Sequence, residues 1–310
     1  MKLGVTAILL AVIFHFISFE DIWIGIRRTS PLVWLSVLAG FLIGHVLAAF
    51  KWGLLVGQGL SFSTIVRAHF AGLAANIALP GVAGGDVARA AVLASKIESR
   101  HRLITGSIID RLIDVAILVA IAALGAAIMG TAGQTGVWLQ VFAAVLVILG
   151  GGVYIALPGI AAWLEAHLTG AGKLPMLVKE IATYMAGHRN RILVCAALSF
   201  AIQVGFVCLN VVLAWSMQGP TNLAVWLFAW PLAKLIATLP ISLGGLGVRE
   251  ASLAAVFAAF ATASPVVIAV GFVWQTILIT TGLVGLGVQF LSRKRNSEPS
   301  GGTNVGPNAR

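Results

Sequence analysis

The chain has 310 residues, of which 59% are hydrophobic and only 10% are charged. A soluble domain carries about 25% charged residues, so this composition excludes a soluble protein. The net charge of +10 does not indicate nucleic-acid binding, because proteins of that kind carry their basic excess on a polar surface. The composition indicates an all-α, polytopic membrane protein whose immediate partners are membrane lipids.

Six apolar windows are long enough to cross the bilayer as helices, since about 20 residues span its hydrocarbon core. They lie at 3–19, 32–56, 104–130, 135–157, 191–217 and 265–291. The first window resembles a signal peptide, but bulky residues follow it instead of a small-residue cleavage site, so we expect an uncleaved span. Residues 1–291 are therefore expected to form a single transmembrane domain.

Two further apolar regions, 63–98 and 222–262, are interrupted near the middle by proline and paired glycines. Each arm is short for a full crossing. The arms also carry polar residues that lipid would tolerate poorly, namely Arg67, His69, Asn76 and Lys234. Because irregular backbone at membrane depth must be buried in protein, the pattern predicts two re-entrant helical hairpins.

The two broken regions share a motif at one constant offset of 160 residues, from Pro80 to Pro240. The recurring residues are Leu79, Pro80, Gly84, Gly85 and Arg89 in the first copy, and Leu239, Pro240, Gly244, Gly245 and Arg249 in the second. Three predicted spans separate the copies, so the copies should be inverted in the membrane. Inverted repeats with broken helices are typical of transporters, whose binding site lies at the breaks near the midplane.

The breaks predict a site for a lipid headgroup. Proline ends the incoming arm, and paired glycines let the backbone reverse and approach a ligand closely. The outgoing arms should begin near Asp86 and Val248, and a helix N-terminus beside an arginine is suited to phosphate. The candidate headgroup residues are Asp86, Arg89, Arg249, Glu250, Asp110, Arg111, Asp114, Asn76 and Lys234. The candidate break residues are Pro80, Gly84, Gly85, Pro240, Ser242, Gly244, Gly245 and Gly247.

Structural ion pairing is the alternative interpretation of these charges. Asp86 and Arg89 are three residues apart on one helix and can neutralise each other. Charge at membrane depth is costly and usually functional, which favours a headgroup or proton-coupling role. His15 and His45 are interpreted as packing or helix–helix hydrogen-bonding residues. For His69, which shares a helix face with Asn76, packing and cavity lining are both left open.

The distribution of basic residues sets the expected orientation, because Lys and Arg favour cytoplasmic segments. Lys51 and most other basic residues fall in or beside predicted inside connections, whereas Arg27 and Arg28 lie outside. We therefore expect a cell (cytoplasmic or inner) membrane protein with both termini in the cytoplasm. Residues 158–190 form an amphipathic cytoplasmic connection or an ordinary linker, and 292–310 a disordered cytoplasmic tail.

Together the motifs resemble the lysylphosphatidylglycerol synthase transmembrane-domain family, also called flippase-like. The resemblance covers about residues 40–290. The residues that carry it are Asn76, Pro80, Gly84, Gly85, Asp86 and Arg89, then Asp110 and Arg111, then Pro240, Ser242, Gly244, Gly245, Gly247, Arg249 and Glu250. In multidomain relatives this membrane part flips an aminoacylated phospholipid made by a fused synthase domain. The present chain is expected to be a stand-alone member that acts with membrane lipids and with a separately encoded lipid-synthesising enzyme.

The leading hypothesis is a lipid flippase, driven passively or by ions because the sequence contains no Walker motif. No cofactor is expected, and no His/Cys spacing indicates a structural metal. One alternative is a lipid-modifying transferase in which Asp110 and Asp114 hold a metal for a lipid diphosphate. Another is a non-catalytic partner in a hopanoid, glycolipid or other envelope-lipid pathway.

Overall fold

The structure of the chain is a computed structural model. The structure describes residues 19–57, 59–78, 82–94, 96, 97, 99–129, 173–238, 245–260 and 265–297, together with the single positions 159, 163 and 166. The predicted spans at 3–19 (apart from Phe19) and 135–157 lie outside the described residues. So do four of the predicted break residues, Pro80, Pro240, Ser242 and Gly244.

The described residues form ten α-helices and include no strand, as an all-α protein requires. The helices are α1 (Phe19–Arg28), α2 (Pro31–Val56), α3 (Phe62–Ala78), α4 (Val82–Ala94), α5 (Arg100–Met129), α6 (Lys173–Gly187), α7 (Arg189–Ser216), α8 (Leu223–Thr238), α9 (Val248–Ala259) and α10 (Pro265–Ser297).

Four of these helices are long and apolar enough to cross a membrane: α2, α5, α7 and the Pro265–Ser292 part of α10. They coincide with the spans predicted at 32–56, 104–130, 191–217 and 265–291, and the chain is a multi-pass helical membrane protein. α10 continues to Ser297, past residue 291, where the disordered tail was expected to begin.

Each broken region consists of two short helices that pack against each other, α3 with α4 and α8 with α9. α9 begins at Val248 as predicted. α4 begins at Val82, about one turn before Asp86, so the predicted start was wrong and Gly84 and Gly85 are helical.

Close approach explains the glycines at the start of α4. The backbone N–H of Gly85 donates to Asn76 Oδ1 of α3 at 3.0 Å. A Cβ on Gly72 would lie 2.7 Å from the carbonyl oxygen of Gly85, so the two helices touch backbone to backbone. In the second region, by contrast, Gly245 and Gly247 have φ angles of 78° and 82°, which disfavour residues with a side chain.

Helix order and packing repeat between two units, which we call unit 1 (α1–α5) and unit 2 (α6–α10). Adding the sequence offset of 160 to α2 gives 191–216, which lies inside α7, and adding it to α3 gives 222–238, which matches α8. α2 packs against α7, while α3 packs against α10 and α8 against α5. The first broken helix of each unit therefore lies on the last helix of the other unit, and the predicted repeat extends to helix lengths and packing partners.

Large aromatic side chains fill the centre between the units. Trp274 of α10 packs edge-on against Phe41 of α2 at 5.0 Å between ring centroids and against Trp230 of α8 at 4.8 Å. All three rings are buried. Within a bilayer such packing, rather than release of water, holds helices together.

Candidate functional site

Six charged side chains from three helices of unit 1 form one connected network. It contains Lys51 of α2, Asp86 and Arg89 of α4, and Asp110, Arg111 and Asp114 of α5, and we call it the six-charge network. Three members are basic and three are acidic, so the network is neutral overall. The burial cost of each charge is offset by partners of opposite sign.

Lys51 lies between two carboxylates of the same helix face. Asp110 and Asp114 are four residues apart on α5. The Lys51 ammonium lies 3.1 Å from Asp110 Oδ1 and also contacts Asp114 Oδ1. Lys51 is only 2% exposed. Its position beside a predicted cytoplasmic connection did not predict this role, in which its side chain is held inside the helix bundle by α5.

Arg89 joins α4 to α5 through two carboxylates. Its Nη2 donates to Asp110 Oδ2 at 3.1 Å, and its Nε lies 3.1 Å from Asp86 Oδ1. The guanidinium also lies over the Trp52 ring, 4.5 Å from the centroid. The i, i+3 pairing of Asp86 with Arg89 is thus present, and Arg89 is almost fully buried.

Arg111 and Asp86 form the open edge of the six-charge network. Arg111 Nε donates to Asp86 Oδ2 at 2.7 Å, and its Nη2 contacts Asp86 Oδ1, which makes the pair bidentate. The Arg111 side chain is nevertheless 43% exposed and that of Asp86 26%. A ligand can therefore reach this edge, whereas Lys51, Arg89 and Asp110 are enclosed.

The metal site required by the transferase hypothesis does not fit this arrangement. The Lys51 ammonium occupies the space between Asp110 and Asp114, where a shared cation would have to lie. Among the described residues, no group of three or more His, Cys, Asp or Glu side chains could hold a metal ion.

In unit 2, Arg249 and Glu250 are buried and paired with each other. Arg249 Nη2 donates to Glu250 Oε1 at 2.7 Å and to Gln275 Oε1 of α10 at 2.8 Å. Glu250 Oε2 accepts the backbone N–H of Gly247 at 2.7 Å, which caps the start of α9. Glu250 therefore has two structural roles, as counter-charge and as helix cap.

Lys234 of α8 has no such counter-charge. Its ammonium donates to Gln203 Oε1 at 2.8 Å and lies 5.3 Å from the centroid of the Phe206 ring. Among the described residues, no carboxylate lies within ion-pair distance of it. Lys234 is in electrostatic range of Asp114, Arg111 and Lys51, so a cation of unit 2 lies near the six-charge network of unit 1.

One face of α7 connects these groups. Ser199, Gln203 and Phe206 lie at helical spacing on this face, and Ser199 Oγ donates to Asp114 Oδ1 at 2.6 Å. Phe206 contacts both Lys234 and His45, the latter at 5.6 Å between ring centroids. Sequence reasoning missed Ser199 and Gln203; the available signal was a polar residue inside an otherwise apolar span.

Asn76, His45 and His69 are the remaining polar residues considered in the sequence analysis. Asn76 hydrogen-bonds the Gly85 backbone and so has a structural role at the α3–α4 contact. His45 and His69 are hydrogen-bonded to each other, with 3.1 Å between His45 Nδ1 and His69 Nε2. No contact between described residues joins Arg249 or Glu250 directly to the six-charge network.

The ten helices, the four long apolar spans and the charges at membrane depth define a polytopic helical membrane protein with an internal polar centre. A family model described as the lysylphosphatidylglycerol synthase TM region matches residues 1–285. The match covers most of the chain, and the chain belongs to this family. No curated protein shows significant sequence similarity to this chain.

Proposed function

We propose that this chain moves a phospholipid or another envelope lipid between the two leaflets. The headgroup passes beside Lys234 and the open edge of the six-charge network, and the acyl chains stay in the bilayer. The observation that carries the proposal is Lys234, a cation at membrane depth with no carboxylate partner among the described residues.

The argument starts from the cost of an unpaired charge. An ammonium held away from water is expensive unless a negative group neutralises it. Lys234 is in electrostatic range of Arg111, whose side chain is 43% exposed at the network edge. A lipid phosphate between these two cations would supply the missing negative charge, and arginine can hold phosphate through two parallel hydrogen bonds.

The two broken regions supply the means of movement in this proposal. α3–α4 and α8–α9 act as inverted re-entrant hairpins around the site, with both termini in the cytoplasm and the protein in the cytoplasmic (inner) membrane. Arg89 and Arg249 are each held by an internal carboxylate. As the hairpins move, each arginine exchanges its carboxylate for the phosphate and then returns to it. The first broken helix of each unit packs against the last helix of the other unit. Packing of this kind between repeats supports alternating movement of the two hairpins.

Family membership supports a lipid as the substrate. The matched model describes the membrane region of a lipid synthase, which is consistent with a protein of lipid and envelope pathways. The transferase hypothesis is less well supported, because Lys51 fills the place that its metal would need.

The proposal is tested in vesicles that contain the purified protein and a fluorescent phospholipid, with a membrane-impermeant quencher reporting the outer leaflet. We expect Lys234→Met and Arg111→Gln each to slow transfer by about tenfold or more, since each removes one cation from the phosphate position. Lys234→Arg should keep most of the rate because it keeps the charge. Arg27→Gln, at an exposed position on α1, is the matched control.

Arg89→Ala and Arg249→Ala extend the test to the exchanging arginines. If the wild-type protein transfers lipids of several classes no faster than Lys234→Met, Arg89→Ala and Arg249→Ala do, the proposal is wrong.

A further inference from the structure

Two imidazoles in direct contact, His69 buried and His45 partly buried, lie next to the proposed headgroup site. His45 is on α2 and His69 on α3, and their rings form one Nδ1–Nε2 hydrogen bond of 3.1 Å. His69 is 8% exposed, and its Nδ1 has no hydrogen-bond partner among the described residues. A neutral imidazole has one N–H and one lone pair. The pair therefore uses one of each internally and keeps one free lone pair.

Charged groups of both units lie within electrostatic range of the pair. Lys234 of α8, and Arg111 and Asp114 of α5, are in electrostatic range of His45. Arg89 of α4, Arg111 of α5 and Lys51 of α2 are in electrostatic range of His69. α7 contributes the uncharged Phe206 ring. Lys51, Arg89 and Arg111 are paired with carboxylates of the six-charge network. Lys234 has no carboxylate within ion-pair distance among the described residues, so an anion bound beside Lys234 would favour a proton on the pair.

A lipid phosphate beside Arg111 and Lys234 would be such an anion. We propose that the His45–His69 pair binds one proton from water when a phosphate group binds beside Arg111 and Lys234, so that the chain couples a proton to an anionic lipid. The proton binds the free lone pair and leaves the internal hydrogen bond intact. This inference rests on the proposed function for the position of the phosphate.

Coupling between two binding events is reciprocal. If phosphate binding promotes proton uptake, then a lower pH must strengthen phosphate binding to the same extent. With one linked proton, affinity changes by at most about tenfold per pH unit. The linkage can be measured without any transport assay.

The experiment uses the full chain in an uncharged detergent with dioctanoyl-phosphatidylglycerol, whose phosphodiester keeps a single negative charge from about pH 5.5 to about pH 8. Tryptophan fluorescence follows binding, and an indicator dye in weak buffer counts protons taken up. We expect affinity to rise severalfold per unit as the pH falls, up to about tenfold, with up to one proton taken up per bound lipid. His45→Gln and His69→Gln should remove the pH dependence. His101→Gln should keep it, because that side chain is 77% exposed on α5.

Two further arms identify the ligand. Dimethyl phosphate tests whether a free phosphodiester is sufficient, and dioctanoylglycerol tests whether acyl chains without phosphate are. Proton-linked binding of dimethyl phosphate assigns the site to phosphate itself. Linkage with the phospholipid alone assigns it to a lipid headgroup held by its chains. Equal proton uptake with dioctanoylglycerol contradicts the inference.

The two proposals fail in different ways. Wild-type binding without proton uptake, or an unchanged pH dependence in both histidine variants, overturns the coupling and leaves the headgroup site standing. Proton-linked binding without transfer in vesicles overturns the flippase and leaves the coupling standing. No binding of either phosphate compound at any pH overturns both. The proton count in the wild-type protein decides the coupling even if a histidine variant does not fold.

Discussion

Arg89 and Arg249 occupy equivalent positions in the two units, yet they are held in different ways. Both are almost fully buried, at 3% and 5% exposure. Arg89 is held by Asp86 and by Asp110 of another helix. Arg249 is held by its chain neighbour Glu250 and by a neutral amide. The repeat thus preserves the arginine and the packing of the helices, but not its counter-charges.

The difference continues along the last helix of each unit. The positions in α10 that correspond to Asp110 and Asp114 are Val270 and Trp274, and both are buried in the apolar centre. Lys234 shows the reverse relation, since its counterpart in unit 1 is Ala74. The arrangement of helices is close to symmetric, whereas the distribution of charged side chains is not. An anionic headgroup would therefore meet the six-charge network on the side of unit 1 and Lys234 on the side of unit 2.

This comparison predicts that Arg249→Gln is more destabilising than Arg89→Gln. Removing Arg249 leaves Glu250, which is 0% exposed, without a cation within ion-pair distance among the described residues, and breaking such a buried pair costs about 3–5 kcal/mol. Removing Arg89 costs less, because Asp86 keeps Arg111 and Asp110 keeps Lys51. Thermal unfolding in detergent, followed by tryptophan fluorescence, measures the order.

The double variant Arg249→Gln/Glu250→Gln provides the control for this order. Its amide oxygen can still accept the Gly247 N–H, and no charge is left buried, so stability should largely return. An Arg89→Gln variant as unstable as Arg249→Gln would contradict this explanation. The explanation requires that the carboxylates around Arg89 have a second cationic partner, whereas Glu250 has none among the described residues.

Sequence reasoning predicted the helices of this fold better than the connections of its site. Apolar windows and the recurrence of Pro80 and Arg89 as Pro240 and Arg249 report local properties, and helix formation in a bilayer is local because each backbone group must be satisfied within its own segment. The partnership of Lys51 with Asp110 and Asp114 depends on which helices meet. No local pattern in 32–56 reveals that, and position near the end of an apolar window favoured a topological role instead.

Lys51→Met tests how far the shared charges of unit 1 compensate one another. The change leaves Asp110 with Arg89. Among the described residues it leaves Asp114 with only the Ser199 hydrogen bond as a close partner. Because Asp114 is 20% exposed, water screens part of the loss, and we expect destabilisation of about 2–3 kcal/mol. The same thermal unfolding assay measures it.

Asp114→Asn in the Lys51→Met background is the matched control. It removes the unpaired carboxylate while keeping an acceptor for Ser199, and should recover at least half of the lost stability. A single Lys51→Met variant as stable as the wild-type protein would show that the six-charge network is not coupled through this lysine.

The smallest expected effects concern the glycines at the two breaks, where the same residue type serves two purposes. Gly245→Ala places a side chain at a φ of 78°, which should cost about 1–2 kcal/mol as the strain of a left-handed residue. Its Cβ would also lie 2.9 Å from Ala237 Cβ, which adds to the cost. Gly85→Ala has no such strain, but its Cβ collides with Asn76 Oδ1 and with the Gly72 carbonyl, and overpacking of this kind costs about 1–3 kcal/mol. Gly205→Ala, where a Cβ meets nothing within 4 Å, is the control and should be neutral or slightly stabilising because alanine favours helix.

The costs of Gly245→Ala and Gly85→Ala have different origins, so D-alanine at each position, introduced by chemical ligation, separates them. It should restore stability at residue 245, where it fits a positive φ, and fail at residue 85 within a right-handed helix. Rescue at residue 85 would mean that the first break, like the second, depends on backbone conformation.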